Sequence, residues 1–415
     1  MHRPKNNEMV AIRFHRGALL CALVLCVHVF STAVGYLLLW FVCKDRPCNP
    51  LVGGHFRRKM DDWTALKLNS ERVTKSMAFL SDYVKTMGTS KPKQLGRPIT
   101  EKVNISMPII ATKRSEGKYL TQTVVSVLSQ LPSSPIKVAP FVCNVDSKPD
   151  DFEEAREIAE VLPHYAVYKE LQPPDVLQPV VWREGGSETI NTNKKVELSV
   201  ISKEKKDYAL CLEAGRKLWP NCDFVLLLED DAMLKKNFFL HLSTVLERLT
   251  KTDQVAFVKL YHPEWLRKVP WLLQMIGLSL LLTGLSTLAF RTCLSKRASL
   301  LLLFALLQFS VYTGLMFCLG HEVLSSWRLS LTGRLYLTIP ESCCTPAVLF
   351  PGQNLHRVLP LLQQSQTGPT RAKDHILDEL PSRLGLSSLL TDTNLVVHIG
   401  MRSSLRHAIV KVDDI

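Results

Sequence analysis

The sequence of 415 residues contains no internal repeat, which excludes a solenoid or propeller assembled from short repeated units. Charged side chains make up 21% of the chain and hydrophobic residues 46%, a high proportion for a soluble protein. The apolar residues are therefore concentrated in particular segments. In one of these, residues 17–43, ionised side chains are absent, and no clear small-x-small cleavage site follows, which argues against a removed signal peptide.

Three long apolar segments predict three membrane-spanning helices. Residues 17–43 exceed the roughly 20 residues that span a bilayer's hydrocarbon core, and segments 270–290 and 298–320 follow later, close together. Basic residues dominate both the short N-terminus and the turn 291–297, so the positive-inside rule places these two on the cytosolic side. The alternative for the later pair is two buried helices of a soluble core.

This topology places residues 44–269 and 321–415 in the lumen, an oxidising compartment in which disulfides form. Six of the eleven cysteines lie there, and the sequence does not give their connectivity: Cys48, Cys143, Cys211, Cys222, Cys343 and Cys344. Adjacent Cys343 and Cys344 either pair with each other through a strained ring or pair elsewhere. The single sequon, which begins at Asn104, is usable for N-glycosylation only if the lumenal assignment holds.

The net charge of +13 is spread over the cytosolic flanks, the hairpin turn and the lumenal part. A basic lumenal face suits a phosphate-bearing ligand, although ordinary solvated surface charge is the simpler explanation. The charge therefore identifies no partner by itself, and we expect no nucleic acid to bind.

Strand and helix patterns alternate along the lumenal sequence. Residues 60–87 have the apolar spacing of an amphipathic helix, and short apolar strands interleaved with helices begin near residue 105 and resume after residue 321. The Pro-rich segment 171–186 is typical of a long binding loop. This order indicates one α/β domain with a membrane hairpin inserted into it. The predicted parts are a cytosolic tail (1–16), a transmembrane anchor (17–43), a lumenal stem (44–98), the first part of the domain (99–269), a transmembrane hairpin (270–320, turn 291–297) and the second part (321–415).

Three consecutive acids, Glu229, Asp230 and Asp231, follow the apolar run of residues 224–228, and nothing nearby in sequence neutralises them. In open α/β sheets, ligands bind beyond the carboxyl ends of the strands. Carboxylates there suit Mg²⁺ or Mn²⁺, and substrate phosphates often complete the coordination of Mg²⁺. The alternative is that Asp231 caps the next helix while its neighbours face water.

This arrangement resembles the DXD motif of GT-A glycosyltransferases, although it begins with Glu rather than Asp. The chain as a whole resembles the Golgi family that adds N-acetylgalactosamine to GPI anchors, the post-GPI-attachment GalNAc transferases. The segments that carry the likeness are LLLEDDAM, PESCCTPAVLFPG and NLVVHIGMRSSLR. The resemblance implies a GT-A-like (Rossmann-like) domain with the hairpin and the N-terminal anchor, in the Golgi membrane. It also implies inverting transfer of GalNAc from UDP-GalNAc to the first mannose of the GPI glycan.

The same resemblance assigns roles to several residues. Glu229, Asp230 and Asp231 correspond to the DXD motif, which binds the nucleotide sugar, with Asp231 the main ligand of Mn²⁺ or Mg²⁺. His398 matches the position of a late metal ligand, and a neutral imidazole is an acceptable one. GPI-anchored proteins are the implied acceptors, and Golgi localisation makes the catalytic domain lumenal.

Further candidates come from the ends of the predicted strands and from the chemistry of inversion. Thr112, Lys113 and Asp146 follow the first two strands and are predicted to line the uridine pocket. Inverting transfer needs a base within hydrogen-bond reach of the attacking hydroxyl, for which Asp374 is the candidate and Asp378 the substitute. The alternative is that Asp374 caps the helix and that Asp378 faces solvent.

Two other functions remain open at this stage. A non-catalytic membrane or trafficking factor that keeps a degenerate GT-A domain fits the same sequence features. An N-glycan branching transferase shares the plan of anchor, stem and GT-A domain, but lacks the inserted hairpin.

Overall fold

The computed structural model describes most of the chain between residues 62 and 400. The described residues are 62–87, 93–94, 99, 102–114, 117–159, 161–162, 164–167, 191–251, 254–263, 269–291, 298–342, 344–364 and 372–400. The predicted anchor 17–43 and the Pro-rich segment 171–186 lie outside them.

Strands and helices alternate as the sequence predicts. The strands are β1 (Lys93–Gln94), β2 (Ile105–Ala111), β3 (Val138–Asn144), β4 (His164–Val167), β5 (Phe224–Glu229), β6 (Ala232–Leu234), β7 (Val255–Lys259), β8 (Leu337–Thr338), β9 (Ala347–Pro351), β10 (Ser387–Thr391) and β11 (Val396–His398). The helices are α1 (Asp62–Met87), α2 (Tyr119–Leu128), α3 (Glu153–Ala159), α4 (Asn191–Leu218), α5 (Phe238–Leu249), α6 (Val269–Arg291), α7 (Ala298–Thr332), α8 (Leu355–Gln364) and α9 (Lys373–Leu384).

Nine of these strands form one mixed sheet in the order β1-β4-β3-β2-β5-β9-β7-β10-β8. The run from β1 to β5 is parallel, which is usual where strands alternate with helices, but β9 pairs antiparallel with both β5 and β7. Strand β9 follows the hairpin in sequence and yet lies between two strands that precede it. The two parts of the α/β domain therefore share one sheet, and the mixed α/β class is confirmed.

The sheet is covered by helices on both faces, because side chains alternate along buried strands. In β5, Leu226 and Leu228 pack with α1, α2, α3 and α5, whereas Val225 and Leu227 pack with α4, α8 and α9. Trp219, after α4, packs against Phe141 of β3 with ring centroids 5.3 Å apart. This three-layer arrangement holds the carboxyl ends of the central strands in place.

Helix α1 corresponds to the helix that the sequence predicts for the stem, although not all of its apolar side chains contact the core. Phe79, Leu80 and Tyr83 contact the core, whereas Leu66 and Met77 are 51% and 39% exposed. Helix α1 thus packs on the α/β domain instead of standing apart from it.

Contacts divide the chain into two compact units. One contains residues 264–327 and the other contains residues 59–263 and 328–415. In the first unit, Gly320 has non-helical dihedral angles (φ 74°, ψ 167°) and interrupts α7 at the predicted end of the hairpin. Among the described helices, one contains a stretch long and apolar enough to cross a membrane, Ala298–Met316, and α6 has a shorter apolar stretch, Leu273–Leu288.

A disulfide joins Cys143 of β3 to Cys211 of α4, 68 residues later. Closing a loop of this length restricts the unfolded chain, so we expect the double variant Cys143→Ala/Cys211→Ala to lose about 2 to 4 kcal/mol of stability. Thermal unfolding of the purified protein measures the loss. The control is Cys222→Ala, which removes a buried free thiol and is expected to cost about 1 kcal/mol; equal losses in both variants would contradict the prediction.

Candidate active site

The carboxyl ends of β2, β3 and β5 meet at one edge of the sheet, since Ile110 pairs with Glu229 and Ala111 with Asn144. A cavity of about 290 Å³ lies at this edge. Its lining includes five predicted site residues: Thr112, Lys113, Asp146, Glu229 and Asp230. It also includes charged and aromatic residues that the sequence pattern did not single out: Arg114, Lys203, Glu204, Asp207, Tyr208 and Lys373.

Arg114 neutralises two of the three acids. Its guanidinium lies 2.5 Å from Asp230 Oδ1 through Nη2 and 2.7 Å from Asp231 Oδ2 through Nη1. Burial raises the pKa of Asp230 to about 7 in spite of this cation. The sequence does not show this pairing, because Arg114 lies 116 positions from Asp230.

Lys373, the first residue of α9, neutralises the third acid. Its Nζ lies 2.5 Å from Glu229 Oε1 and 2.6 Å from Glu204 Oε1, and 5.3 Å from the centroid of the Tyr208 ring. Burial disfavours charge on Lys373, but the two glutamates outweigh it and raise its pKa above the ordinary value. Lys373 thus connects α4, β5 and α9 at the floor of the cavity.

The ribbon of β6 and β11 brings His398 to Asp231, and the role of His398 as a metal ligand stays a prediction. His398 Nε2 lies 3.2 Å from Asp231 Oδ2, and its ring packs edge-on against Tyr261. Burial opposes the imidazolium, but Asp231 outweighs it and raises the pKa of His398 to about 9. Burial would likewise raise the pKa of Asp231, yet Arg114 and His398 hold it well below its ordinary range.

Glu229, Asp231 and His398 fit a divalent cation. One ligand atom from each lies within 4.8 Å of the others, and two carboxylates with an imidazole form a donor set that Mn²⁺ accepts. Asp231 Oδ1 is buried and, within the part of the chain that the structure describes, has no hydrogen-bond partner. A Cβ on Gly400 would lie 2.0 Å from Asp231 Oδ2, so glycine keeps this space open.

The wall of the cavity on the β3 side is also polar. The backbone N–H of Lys113 donates to Asp146 Oδ2 at 2.7 Å, which fixes the two strand-end loops against each other. Lys203 Nζ donates to Asp207 and to the carbonyl of Val145. Burial raises the pKa of Asp207 to about 6. Thr112, Lys113 and Asp146 thus line the cavity, and their contact with uridine stays a prediction.

The two predicted base candidates lie beside this cavity and do not line it. Asp374 accepts a hydrogen bond from Thr345 Oγ1 at 2.9 Å. Asp378 accepts from the fully buried Lys259 at 3.0 Å and also from Ser342. The neighbour of Asp374, Lys373, is the α9 residue that faces the acids.

Two further predictions concern modification. The Asn104 carboxamide donates to Asp223 and accepts from the backbone N–H of Lys137, and Ser106 is fully buried in β2. Glycosylation of Asn104 stays a prediction, and it would replace the contact with Asp223. Cys344 is disulfide-bonded, whereas Cys343 lies outside the described residues, so their pairing also stays a prediction.

Comparison with known proteins agrees with a transferase site. The chain is 23% identical over 209 residues to alpha-1,3-mannosyl-glycoprotein 4-beta-N-acetylglucosaminyltransferase C of Macaca fascicularis and of Mus musculus, a match that covers 47% of this chain and 42% of the relative. The chain thus spans about two fifths of the length of these relatives.

Two solved structures are also similar. Apo mouse xyloside xylosyltransferase 1 gives a TM-score of 0.27 at 11% identity, covering 73% of this chain and 79% of that one. The mannosyltransferase Ktr4p from S. cerevisiae gives 0.23 at 11% identity, covering 78% and 76%. At these TM-scores the likeness carries no weight, and the fold rests on the strand order described above.

The family that the chain matches is a glycosyltransferase family. The family model described as GPI-N-acetylgalactosamine transferase PGAP4 matches residues 105–397. This range includes the acidic motif and ends one residue before His398. The chain belongs to the GPI-N-acetylgalactosamine transferase PGAP4 family.

Proposed function

We propose that this protein is a metal-dependent, inverting GT-A-type transferase. It transfers N-acetylgalactosamine from UDP-GalNAc to the first mannose of the GPI glycan, on GPI-anchored proteins in the Golgi lumen. The observation that carries the proposal is the meeting of Glu229, Asp231 and His398 beside a charged cavity, in a chain of this family. Glu229, Asp231 and His398 would hold Mn²⁺ or Mg²⁺, which supplies positive charge to the diphosphate as it leaves.

The chain's own residues provide the rest of the chemistry. Thr112, Lys113 and Asp146 bind the uridine portion, and Arg114 keeps Asp231 oriented. In the transfer, the mannose hydroxyl forms a bond to the anomeric carbon and gives its proton to a carboxylate, while the bond to the UDP oxygen breaks and UDP leaves with the electron pair. Asp374 suits this role better than Asp378, because Asp378 is already paired with Lys259.

The experiment that tests this function is rescue of GPI side-chain glycosylation in cells lacking the native protein. The wild type is expected to restore the GalNAc side chain, and the triple variant Glu229→Ala/Asp230→Ala/Asp231→Ala is expected to fail at equal protein level. The exposed acids Glu71 and Glu247 provide a matched control, and their alanine variants should rescue fully. Full rescue by the triple variant would favour the non-catalytic alternative.

The relatives provide a reason to test a second donor. These relatives are named as N-acetylglucosaminyltransferases that act on mannosyl glycoproteins. UDP-GlcNAc therefore belongs in every donor assay beside UDP-GalNAc. The membrane hairpin favours the GPI acceptor, since a lipid-anchored acceptor and an enzyme embedded in the same bilayer meet at a raised effective concentration.

Replacing residues 270–320 by a short linker tests this role of the hairpin. Exposed leucines on α6 and α7, such as Leu288 (63% exposed) and Leu302 (62% exposed), suit contact with lipid. We expect the variant to lose most of its activity on membrane-embedded GPI but to retain UDP binding, since the cavity residues all lie in the other compact unit. Equal losses of both would show that the hairpin supports the fold and not the encounter with the acceptor.

A further inference from the structure

Helix α1, which the sequence assigns to the stem, contacts the loop that carries Arg114. The contact is a polar network centred on Gln122 of α2, a residue that is 1% exposed. Arg72 Nε of α1 donates to Gln122 Oε1 at 2.9 Å, and Gln122 Nε2 donates to Asn69 Oδ1 of α1 at 3.0 Å. Gln122 Nε2 also donates to the carbonyl of Gly117 at 2.8 Å. One side chain thus connects α1 to the end of the loop that follows β2.

Gly117 and Tyr119 link Gln122 to Arg114, which contacts the acids. Gly117 has a positive φ of 118°, and a Cβ there would lie 2.5 Å from the Tyr119 ring, so the loop approaches the ring as closely as glycine permits. The Arg114 guanidinium lies 5.4 Å from the centroid of the same ring, within the range of a cation–π contact. Arg114 then holds Asp230 and Asp231 through the two ion pairs described above.

The other side of α2 holds the acidic segment directly. Thr123 Oγ1 donates to the carbonyl of Asp230 at 2.7 Å, and Ser126 Oγ accepts from the backbone N–H of Leu234 at 2.9 Å. Helix α2 therefore contacts α1 with one face and the acids with another. Helix α2 thus lies between α1 and two parts of the cavity wall, the loop after β2 and the acidic segment.

We propose that Asn69 and Arg72 of helix α1 are positioning residues of the donor site, acting through Gln122 and Arg114 on Asp230 and Asp231. The stem helix is in this account a structural part of the nucleotide site rather than a spacer. The effect on donor binding rests on the proposed function, whereas the effect on the loop does not.

Hydrogen–deuterium exchange of the full-length protein in detergent tests the effect on the loop. In the double variant Asn69→Ala/Arg72→Met, peptides covering residues 112–119 are expected to exchange about tenfold faster than in the wild type. Lys75→Met, an exposed change on the same helix, should leave them unchanged. Leu362→Ala on the opposite face of the sheet is expected to lower the melting temperature without accelerating exchange in this loop. Should the double variant fold poorly, Asn69→Ala alone is expected to give about a threefold increase.

Calorimetric titration with UDP and Mn²⁺ tests the effect on donor binding. We expect about a tenfold weaker affinity for the double variant and wild-type affinity for Lys75→Met and Leu362→Ala. Unchanged exchange in the double variant overturns the proposal, whatever happens to UDP. If exchange is faster but the affinity for UDP is unchanged, α1 supports the loop without affecting donor binding, and the proposal as stated is also overturned. A wild type that binds no UDP in the presence of Mn²⁺ refutes the proposed function, while the exchange result still decides whether α1 positions the loop.

Discussion

Replacing Asp231 by asparagine is expected to reduce the rate of sugar transfer about 10³-fold, equivalent to about 4 kcal/mol of transition-state stabilisation. Asp231 is the acid that both Arg114 and His398 contact, and its Oδ1 is buried without a hydrogen-bond partner among the described residues. An amide keeps the size of the side chain but removes the charge that a cation requires. Steady-state transfer by the purified protein, with melting temperature as a check on folding, measures the effect.

Asp230→Asn provides the matched control. Asp230 also pairs with Arg114, but it is not part of the candidate ligand group, and burial already raises its pKa to about 7. A neutral amide therefore resembles a state that Asp230 populates near neutral pH, and we expect only about a tenfold loss of activity. Equal losses of activity in Asp230→Asn and Asp231→Asn would mean that both carboxylates act only through their ion pairs with Arg114.

Replacing Lys373 by methionine is expected to destabilise the protein by about 3 to 5 kcal/mol, because Glu229 and Glu204 then share a largely buried space without their cation. Thermal unfolding in detergent measures the loss. Lys206→Met removes an exposed lysine of the same region and should have little effect. Adding Glu204→Gln to Lys373→Met should recover part of the loss, and no recovery would contradict this explanation and favour the cation–π contact of Lys373 with Tyr208 as the source of the stability.

The loss in Lys373→Met should depend on pH with a defined sign. Burial raises the pKa of Glu229 even with Lys373 in place, and removing the lysine raises it further. A carboxyl whose pKa is higher in the folded state binds more protons when folded, so stability falls as the pH rises through that pKa. The variant should therefore be closest to the wild type at acidic pH and furthest from it at pH 7 and above.

The acidic site could be predicted from the sequence because the three acids and the apolar run before them are adjacent in the chain. A run of apolar residues that ends in three acids predicts a buried strand with carboxylates at its end, and the loops after β2 and β3 follow from the same rule. His398 was placed by resemblance, and its contact with Asp231 depends on β11 pairing with β6. The order of strands in the main sheet brings the loops after β2 and β3 to the acids, whereas His398 reaches them through the separate ribbon of β6 and β11.

The residues that the sequence missed reach the site by tertiary packing. Arg114 and Lys373 are ordinary cations in the sequence, 116 and 144 residues from their partners Asp230 and Glu229. The sequence offered Asp374 as the base on α9 but did not indicate Lys373, because successive helical residues point about 100° apart and the sequence does not show that the helix register turns Lys373 to the acids. The antiparallel insertion of β9 was missed because a short apolar strand does not show its direction.

The measurement that tests the central claim most directly is sugar transfer to a GPI glycan by the purified protein. UDP-GalNAc and UDP-GlcNAc are compared, each with Mn²⁺ and with a chelator. We predict that UDP-GalNAc with Mn²⁺ yields GalNAc on the first mannose, that chelation abolishes the product, and that Asp231→Asn lowers the rate about 10³-fold. Transfer that is independent of the metal and of Asp231 would contradict the account.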